Sequence, residues 1–593
     1  MERSEQGTAN NETDPLIDNS SCAADACTDS VEIRAFPMRG RGGLKVVLLI
    51  LVTNMFECLT SFSILAGVLL FCTSSLSINQ VDATSINQVF SGFVFVMPVL
   101  GGFIADSYLG RYRTVYSSGI LYITGLLLLP ASAVNYSDWD VIYFRLSARH
   151  YFFTSLVLIC LGTGGVKSTL GPFGAQQIES RGEKAVESFF NWFYWMINVG
   201  GTIGVTLVAY VQQEISFVWG FFIPTISLTV GLLIFMAGQS KYKKTAPEGS
   251  ILTTAFGIFK QGACRTRPEP NIALPEGSER KMLARSKKSF GGSFDDHLVD
   301  GITCVIRVAP FCAFMVMFWA LNAQMNNTFF AQAERMDVRL GGGVNVPAAA
   351  ISAFNGIGII ILIPAVNRVI YPFFDRIGYQ LSQLKKMGIG LVLAAVGMIV
   401  AGIVEIYRKK VLHSEGGSHV QVLAGETFTA SNMSAFVLVP QYVLIGLSEI
   451  FASITAMEFV YSQTPLAMQG LTTGLFYASI GIGNWVSSAI LAIVEGTTRN
   501  DPWWSSDINN AKMENLMFLL AGLMLVNVAG FCAVAHFYTY QDPSRFEASV
   551  CGQNKDISVE QNRELDDCTE EEERATNSGS NEAKGTDRLA ALV

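Results

Sequence analysis

The sequence predicts an all-α membrane protein, and three observations lead to this prediction. Half of the residues are hydrophobic (50%) and only 15% are charged, whereas soluble domains carry about 25% charged residues. Twelve segments are apolar over the roughly 20 residues that a helix needs to cross a bilayer. Membrane-spanning β-strands would instead alternate apolar and polar residues over about ten positions, and these segments do not alternate.

The twelve predicted spans follow one another along most of the chain. They cover residues 44–71, 87–107, 114–134, 150–170, 188–211, 217–238, 302–325, 348–370, 386–407, 436–461, 468–494 and 515–539. Each contains one continuous apolar stretch bounded by turn-forming or charged residues, which is the pattern of a transmembrane helix.

The spans divide into two halves, 44–238 and 301–540, with six helices in each. The stretch between them, 239–300, is rich in Lys, Arg, Gly, Pro and Ser, which is typical of a linker. Both tails, 1–43 and 541–593, are polar, and the second is strongly acidic, so we expect them to be disordered. Two similar six-helix halves joined by a basic linker indicate the major facilitator fold of secondary transporters.

Basic residues orient the predicted helices. Those that lie before the first span or follow the second, fourth and eighth spans are Arg34, Arg39, Arg41, Lys45, Arg111, Arg113, Arg181, Lys184, Arg368, Arg376, Lys385 and Lys386. Because loops rich in Lys and Arg stay in the cytosol, we expect both termini to be cytosolic. The loop after the ninth span disagrees, since Arg408, Lys409 and Lys410 lie on the predicted outer side.

Composition also excludes several functions. The net charge of −8 argues against nucleic-acid binding, which needs a positive surface. The 11 cysteines form no Cys-x-x-Cys pair, so no zinc site or thiol-redox motif is expected. We therefore predict no metal site, and the transporter architecture predicts that the protein is not an enzyme.

The loop between the second and third spans carries a charged motif. It reads Gly101-Gly102-Phe-Ile-Ala-Asp106-Ser-Tyr-Leu-Gly110-Arg111-Tyr-Arg113. Small residues allow two helices to approach closely, and Asp106 lies near enough to Arg111 and Arg113 to pair with either. These three residues are a candidate conformational latch. The alternative is an ordinary charged turn.

At this point the sequence resembles a known family. Residues 101–125, with Thr114, Val115, Gly119 and Leu121 at fixed offsets, resemble the first signature of the proton-dependent oligopeptide transporters, solute carrier family 15. Residues 189–201 resemble the second signature, although Asn191 stands where Tyr or Thr is usual. Residues 440–449 and 458–465 are similar to the tenth span of animal members. The resemblance extends from about residue 44 to 540, and the peptide/histidine transporter branch is the most similar in 189–198 and 448–453.

Three ionisable residues lie well inside predicted spans: Glu57, Lys167 and Glu449. Burying a charge in a bilayer costs a few kcal/mol or more, so such residues usually line a polar cavity with a function. Carboxyl groups shielded from water can exchange protons near neutral pH, which makes Glu57 and Glu449 candidates for proton coupling. Lys167 and Glu449 together could bind the two charged ends of a peptide. For each residue the alternative is a structural ion pair.

The resemblance implies further roles. It places Lys167 and Glu449 at substrate-binding positions of the fourth and tenth spans, and it adds Asn198, Gln324, Asn355 and Trp485 as polar or aromatic positions of the binding site. Helix–helix hydrogen bonds are the alternative for the Asn and Gln residues, and packing is the alternative for Trp485. The resemblance implies no cofactor, with protons as the coupling ion.

The first span departs from the family pattern Glu-x-x-Glu-Arg. This chain has Asn54-Met-Phe-Glu57-Cys58, so only the second glutamate is retained. Arginine offers a bidentate fork to a carboxylate and cysteine does not. Lys167 would then hold a substrate carboxylate alone, and either transport has an altered coupling or substrate, or it has been lost.

Short motifs predict a location and modifications. Glu12, Leu16 and Ile17 fit an acidic dileucine sorting signal, which clathrin adaptors bind, although a match of six residues also arises by chance. The peptide/histidine transporter branch resembles this placement, and the resemblance implies an endosomal or lysosomal membrane, with the plasma membrane as the alternative. Asn135 and Asn432 begin Asn-x-Ser sequons in predicted lumenal loops and could be glycosylated.

We therefore expect a symporter that moves di- and tripeptides or histidine, together with protons, from an acidic lumen or the outside into the cytosol by alternating access. A transport-deficient membrane scaffold or sensor is one alternative, and a transporter of another small organic anion is the other.

Overall fold

A computed structural model describes residues 41–78, 80–133, 141–244, 257–261, 283–339, 348–378, 381–423, 426–505 and 508–540. The predicted sorting signal at Glu12, Leu16 and Ile17 and the sequon at Asn135 lie outside these residues. The same is true of most of both predicted tails.

The first half contains six long helices, as predicted. They are α1 (Arg41–Ser74), α2 (Gln80–Val96), α3 (Arg111–Ala133), α4 (Val141–Gln176), α5 (Glu183–Ile203) and α6 (Phe217–Ala237). After α2 the chain remains helical through Pro98–Ile104 and a π-helical turn, Ala105–Leu109. After α5 it continues through two π-helical turns, Gly204–Val208 and Val211–Ile215.

The second half repeats this arrangement. Its helices are α7 (Asp296–Asn322), α8 (Ala348–Ala365), α9 (Gln383–Leu412), α10 (Val439–Glu449), α11 (Gln469–Thr497) and α12 (Met513–His536). A π-helical turn and a short helix extend α8 to Arg376, and a π-helical turn, Ile450–Ile454, connects α10 to the helix Thr455–Ser462. All twelve predicted spans coincide with these helices.

Eleven helices in the described part of the chain are long and apolar enough to cross a membrane. The predicted fifth span, residues 188–211, is not among them, although its helix has the required length. This helix, α5, carries Glu183, Glu187, Asn191 and Asn198, and it packs against α1 and α8. A polar helix is tolerated in a bundle when neighbouring helices shield it from lipid.

A small sheet covers the end of the second half opposite the linker. Its order is β1 (Met336–Asp337), β3 (Glu426–Ser434) and β2 (Ser418–Leu423), with β1 parallel and β2 antiparallel to β3. We call this end the hairpin face. The other end, which carries Asp106, Lys386 and the described linker residues, we call the linker face.

The end of α9 and the loop after it carry three basic residues on the predicted outer side, contrary to the rule that basic loops stay in the cytosol. Two ion pairs explain this exception. Arg408 is fully buried and forms a bidentate ion pair with Glu405, at 2.7 and 2.8 Å. Lys409 pairs with Glu514 at 2.6 Å. Because these two basic residues are neutralised by neighbours, only Lys410 remains exposed without an ion-pair partner among the described residues.

Candidate functional site

The two halves meet closely along α2 and α11. A Cβ atom on Gly102 would overlap the carbonyl group of Gly470, and one on Gly92 would overlap the indole ring of Trp485. Glycine at these positions therefore lets the backbones of the two halves touch. The predicted latch lies at the linker end of this contact.

The latch residues bridge the two halves. Asp106 lies in the π-helical turn after α2, and its Oδ2 atom accepts a hydrogen bond of 2.9 Å from the backbone N–H of Leu471, in the first turn of α11. The guanidinium of Arg111 donates to the carbonyl of Leu466 at 2.5 Å and to Oε1 of Gln469 at 3.0 Å. The Asp106 carboxylate lies at the N-terminus of α11, where the helix dipole stabilises a negative charge. Asp106 and Arg111 belong to the first half and their partners belong to the second, so these contacts connect the two halves.

Arg113, the third predicted latch residue, is exposed and has no ion pair among the described residues. Arg111 is the arginine nearer to Asp106, with 3.9 Å between its Nε and Oδ1 of the carboxylate. Gly110 makes the turn between them possible, because its φ of 74° is a conformation that glycine adopts without strain.

Arg111→Ala is expected to open the linker face, whereas Arg113→Ala should leave it closed. The first change removes two hydrogen bonds to the second half, and the second removes none that the structure describes. Double electron–electron resonance between spin labels at the exposed positions Arg181 and Lys385 would report the separation. A distance distribution that is the same in both variants would contradict a latch.

A second ionic contact joins the halves at the linker face. Lys386 of α9 pairs with Glu187 of α5 at 2.5 Å, and its ammonium lies 4.3 Å from the centre of the Tyr371 ring. Nearby, Gln383 donates a hydrogen bond of 2.6 Å to Glu458. This hydrogen bond gives Glu458 a structural role at the linker face.

Deep in the first half, Glu57 and Lys167 form a buried ion pair. The ammonium of Lys167 lies 3.0 Å from Oε1 and 3.1 Å from Oε2 of Glu57. The thiol of Cys58 donates to the same carboxylate at 3.5 Å. On its other side, the ammonium lies 5.7 Å from the centre of the Phe95 ring. The lysine expected to hold a substrate carboxylate is therefore already paired within the protein.

Glu449 has a different environment, because its donors are neutral. The hydroxyl of Tyr194 donates to Oε2 at 2.7 Å, and the side-chain amides of Asn322 and Asn355 donate to Oε1 at 2.7 and 3.0 Å. The carboxylate ends α10, immediately before the π-helical turn Ile450–Ile454. Such turns interrupt regular helix hydrogen bonding and frequently occur at functional sites.

One buried side chain connects the Glu57–Lys167 pair with the surroundings of Glu449. Tyr477 of α11 is buried and interacts electrostatically with Glu57 and Cys58 on one side and with Tyr194 on the other. Since Tyr194 belongs to the first half and Glu449 to the second, their hydrogen bond also ties the halves together.

The other predicted binding residues are more scattered. Asn355 contacts Glu449, but the amide of Asn198 donates to the backbone carbonyl of Tyr194 at 3.0 Å. Gln324 is buried and donates to Ser487 at 2.8 Å. Trp485 donates to the carbonyl of Gln88 at 3.3 Å and packs against Phe93. The Asn198 hydrogen bond lies within α5, whereas Gln324 and Trp485 make contacts between helices.

Tyr194 and Asn322 are site residues that the sequence analysis did not select. Tyr194 lies inside the second family signature, one turn before Asn198, and Asn322 lies two residues before Gln324. A polar residue inside an apolar span was the available signal for both. Without the tertiary structure, nothing indicated that both of them contact Glu449.

The part of the chain that the structure describes contains twelve helices in two halves, and eleven of them are long and apolar enough to cross a membrane. Together with the buried ionisable groups, they define a membrane transporter of the major facilitator class. Within the described residues there is no cluster of His, Cys, Asp or Glu that could hold a metal ion. The model of the POT family, PTR2, matches residues 112–508, and the chain belongs to this family. Its members are transporters that use proton coupling and need no cofactor, so the chain is not an enzyme.

Relatives and solved structures agree with this assignment. The chain is 29% identical to Protein NRT1/PTR FAMILY 8.1 of Arabidopsis thaliana over 512 residues, covering 78% of this chain and 88% of the relative. It is also 29% identical to Protein NRT1/PTR FAMILY 8.2 of the same plant, covering 84% and 94%. The fold is similar to that of the POT family transporter PepTSo, with a TM-score of 0.62, 23% identity and coverage of 84% and 99%.

Proposed function

We propose that the chain is a proton-coupled symporter of di- and tripeptides or histidine that moves its substrate into the cytosol by alternating access. The observation that carries this proposal is the buried Glu57–Lys167 pair in the first half together with Glu449 in the second, a carboxylate held by neutral donors. The two halves thereby supply a proton acceptor, a cation and an anion that are all buried.

In the proposed cycle, a proton from the acidic side binds Glu57 and neutralises it. Lys167 then loses its partner and becomes available to the carboxylate of the substrate, while Glu449 accepts the ammonium. Because a buried charge without a partner costs several kcal/mol, proton and substrate favour each other's binding. Asn198, Gln324, Asn355 and Trp485 are proposed to complete the binding site.

The transition to the cytosol-facing state would break the contacts at the linker face. These contacts are those of the latch residues Asp106 and Arg111 and the Glu187–Lys386 pair. Arg113, the third latch residue, is exposed beside them. We propose that the linker face is cytosolic, that both termini lie there, and that the peptide/histidine branch is the relevant part of the family.

The location is proposed to be the endosomal or lysosomal membrane, with clathrin adaptors binding Glu12, Leu16 and Ile17. Glycosylation is proposed at Asn135 and Asn432. Asn432 is exposed on β3, and its amide nitrogen donates to the carbonyl of Gly416 at 2.5 Å. A glycosylated amide retains one N–H, so this bond and a glycan are compatible.

Uptake of labelled histidine and dipeptides into proteoliposomes under an inward acid gradient tests the proposal. The wild type should accumulate substrate only with the gradient, and Lys167→Ala should reduce this uptake at least about tenfold because the carboxylate partner is lost. Glu495→Gln, which changes an exposed carboxylate of α11, is the matched control and should resemble the wild type.

The alternatives predict other results. Cys58, in place of an arginine, favours a transport-deficient scaffold, and this reading requires that no gradient-dependent uptake occurs and that Lys167→Ala equals the wild type. Gradient-driven uptake that peptides fail to compete would indicate another small organic anion as substrate.

A further inference from the structure

Four carboxylates are buried in the described part of the chain, and they differ in their partners. Three lie within ion-pair distance of a cation, namely Glu57 with Lys167, Asp106 with Arg111 and Glu405 with Arg408. The fourth, Glu449, is 5% exposed and receives hydrogen bonds from neutral donors alone among the described residues. A buried carboxylate without a cation is costly unless its negative charge is balanced.

Lys167 does not supply this balance, because Glu57 holds its ammonium with both carboxylate oxygens. Nor can Glu57 exchange Lys167 for another cation, since the next residue is Cys58, whose thiol is only a weak donor. A substrate carboxylate that bound Lys167 while Glu57 was ionised would therefore leave one of the two carboxylates without a partner.

The charges of the three groups decide which ligand fits. Glu57, Lys167 and Glu449 together carry a net charge of −1 when all are ionised. The neighbours of Glu57 and Lys167 that could titrate are one thiol and two phenols, Cys58, Tyr122 and Tyr477. Around Glu449 the titratable neighbour among the described residues is one phenol, Tyr194, and the other two donors, Asn322 and Asn355, are amides that do not ionise. All are neutral near pH 7 at their ordinary pKa values.

A monocation brings the net charge to zero in one step. A zwitterion leaves it at −1 and requires a proton as well. Binding of a monocation is therefore electrostatically equivalent to binding of a zwitterion together with one proton.

We propose that the site also takes primary amines that carry one positive charge and no carboxylate, such as dipeptide amides and histamine, and that it binds them through Glu449 without proton uptake. This inference rests on the proposed function only in that both use Glu449. The ammonium would replace a neutral donor, and replacing Tyr194 would also release a hydrogen bond between the halves.

Isothermal titration calorimetry on the full chain in nanodiscs tests this proposal with matched ligand pairs, Ala-Ala against Ala-Ala-amide and histidine against histamine. Titrations in two buffers of different ionisation enthalpy count the protons taken up. At about pH 7.5 we expect the amide to bind at least as tightly as the acid with no proton uptake, and the acid to take up about one proton. Acid binding should tighten by about tenfold per unit of falling pH.

Two variants sharpen the test. Glu449→Gln should lose binding of both members of a pair. Glu57→Gln combined with Lys167→Met removes the ion pair without leaving a buried charge unpaired, and it should raise the preference for amide over acid at least about tenfold, since no cation remains for the carboxylate. Acetyl-Ala-Ala, which lacks the ammonium, should not bind the wild type.

The outcomes separate this inference from the proposed function. If amidation weakens binding more than about tenfold, or if the amide also takes up a proton, the inference is wrong while proton-linked transport of peptides stands. If the amide binds without a proton but proteoliposomes show no gradient-driven peptide uptake, the proposed function is wrong and the inference stands. Binding of neither ligand would overturn both.

Discussion

Arg408→Met is expected to lower the free energy of unfolding by about 3–5 kcal/mol, the cost of removing one partner of a buried ion pair. Arg408 and Glu405 are both fully buried, and the guanidinium donates to both carboxylate oxygens, at 2.7 and 2.8 Å, and to Asn509 at 2.7 Å. After the substitution, Gln332 remains as a neutral donor to the buried carboxylate, at 3.0 Å.

Reversible unfolding in mixed micelles would measure this loss. Lys410→Met is the matched control, because Lys410 is two residues away and exposed, so its replacement should change stability by less than about 0.5 kcal/mol. Glu405→Leu combined with Arg408→Met should recover most of the loss, since an apolar pair leaves no buried charge. Equal losses for Arg408→Met and Lys410→Met would show that the ion pair contributes nothing.

Glu57→Gln is expected to abolish the effect of an acid gradient on uptake, while exchange of substrate across the membrane continues. Glutamine has the shape of a protonated glutamate but cannot ionise, so Lys167 remains available to a substrate carboxylate at every pH. Uptake under the gradient should fall at least about tenfold, and acid binding should no longer take up a proton.

Counterflow in proteoliposomes, with no pH gradient, separates coupling from binding. The variant should retain counterflow of histidine or a dipeptide, whereas Lys167→Ala should lose it. Stability needs its own control, because an unpaired Lys167 is costly. Adding Lys167→Met to Glu57→Gln should restore the thermal stability of the wild type. Gradient-driven uptake that survives in Glu57→Gln would exclude this carboxylate as the coupling group.

The first span shows how a departure from the family pattern changes the site. With Cys58 beside Glu57, the described residues supply one buried cation, Lys167, for the two buried carboxylates Glu57 and Glu449. Lys167 pairs with Glu57, and Glu449 is held by three neutral donors instead. This imbalance is the physical basis of both the proposed proton coupling and the proposed binding of amines.

Some predictions followed from the sequence because they depend on local properties. A run of about 20 apolar residues is sufficient to predict a membrane helix, and the predicted spans coincide with α1 to α12. The predicted fifth span, 188–211, also coincides with a helix, α5, although α5 is more polar than the other spans. The candidate residues Glu57, Lys167 and Glu449 were identified because each is an isolated charge within an apolar stretch.

Pairing was decided by the tertiary structure, because ion pairs and hydrogen bonds join residues that lie far apart in the chain. Lys167 contacts a residue 110 positions away, and Tyr194 one that is 255 positions away. The sequence alone identified Glu57, Lys167 and Glu449 as charges inside spans, but it placed Arg408 in an outer loop, and the structure buries it. Only the packing of the helices decided which of them are neutralised, as Lys167 and Arg408 are, and which one, Glu449, is held by neutral donors.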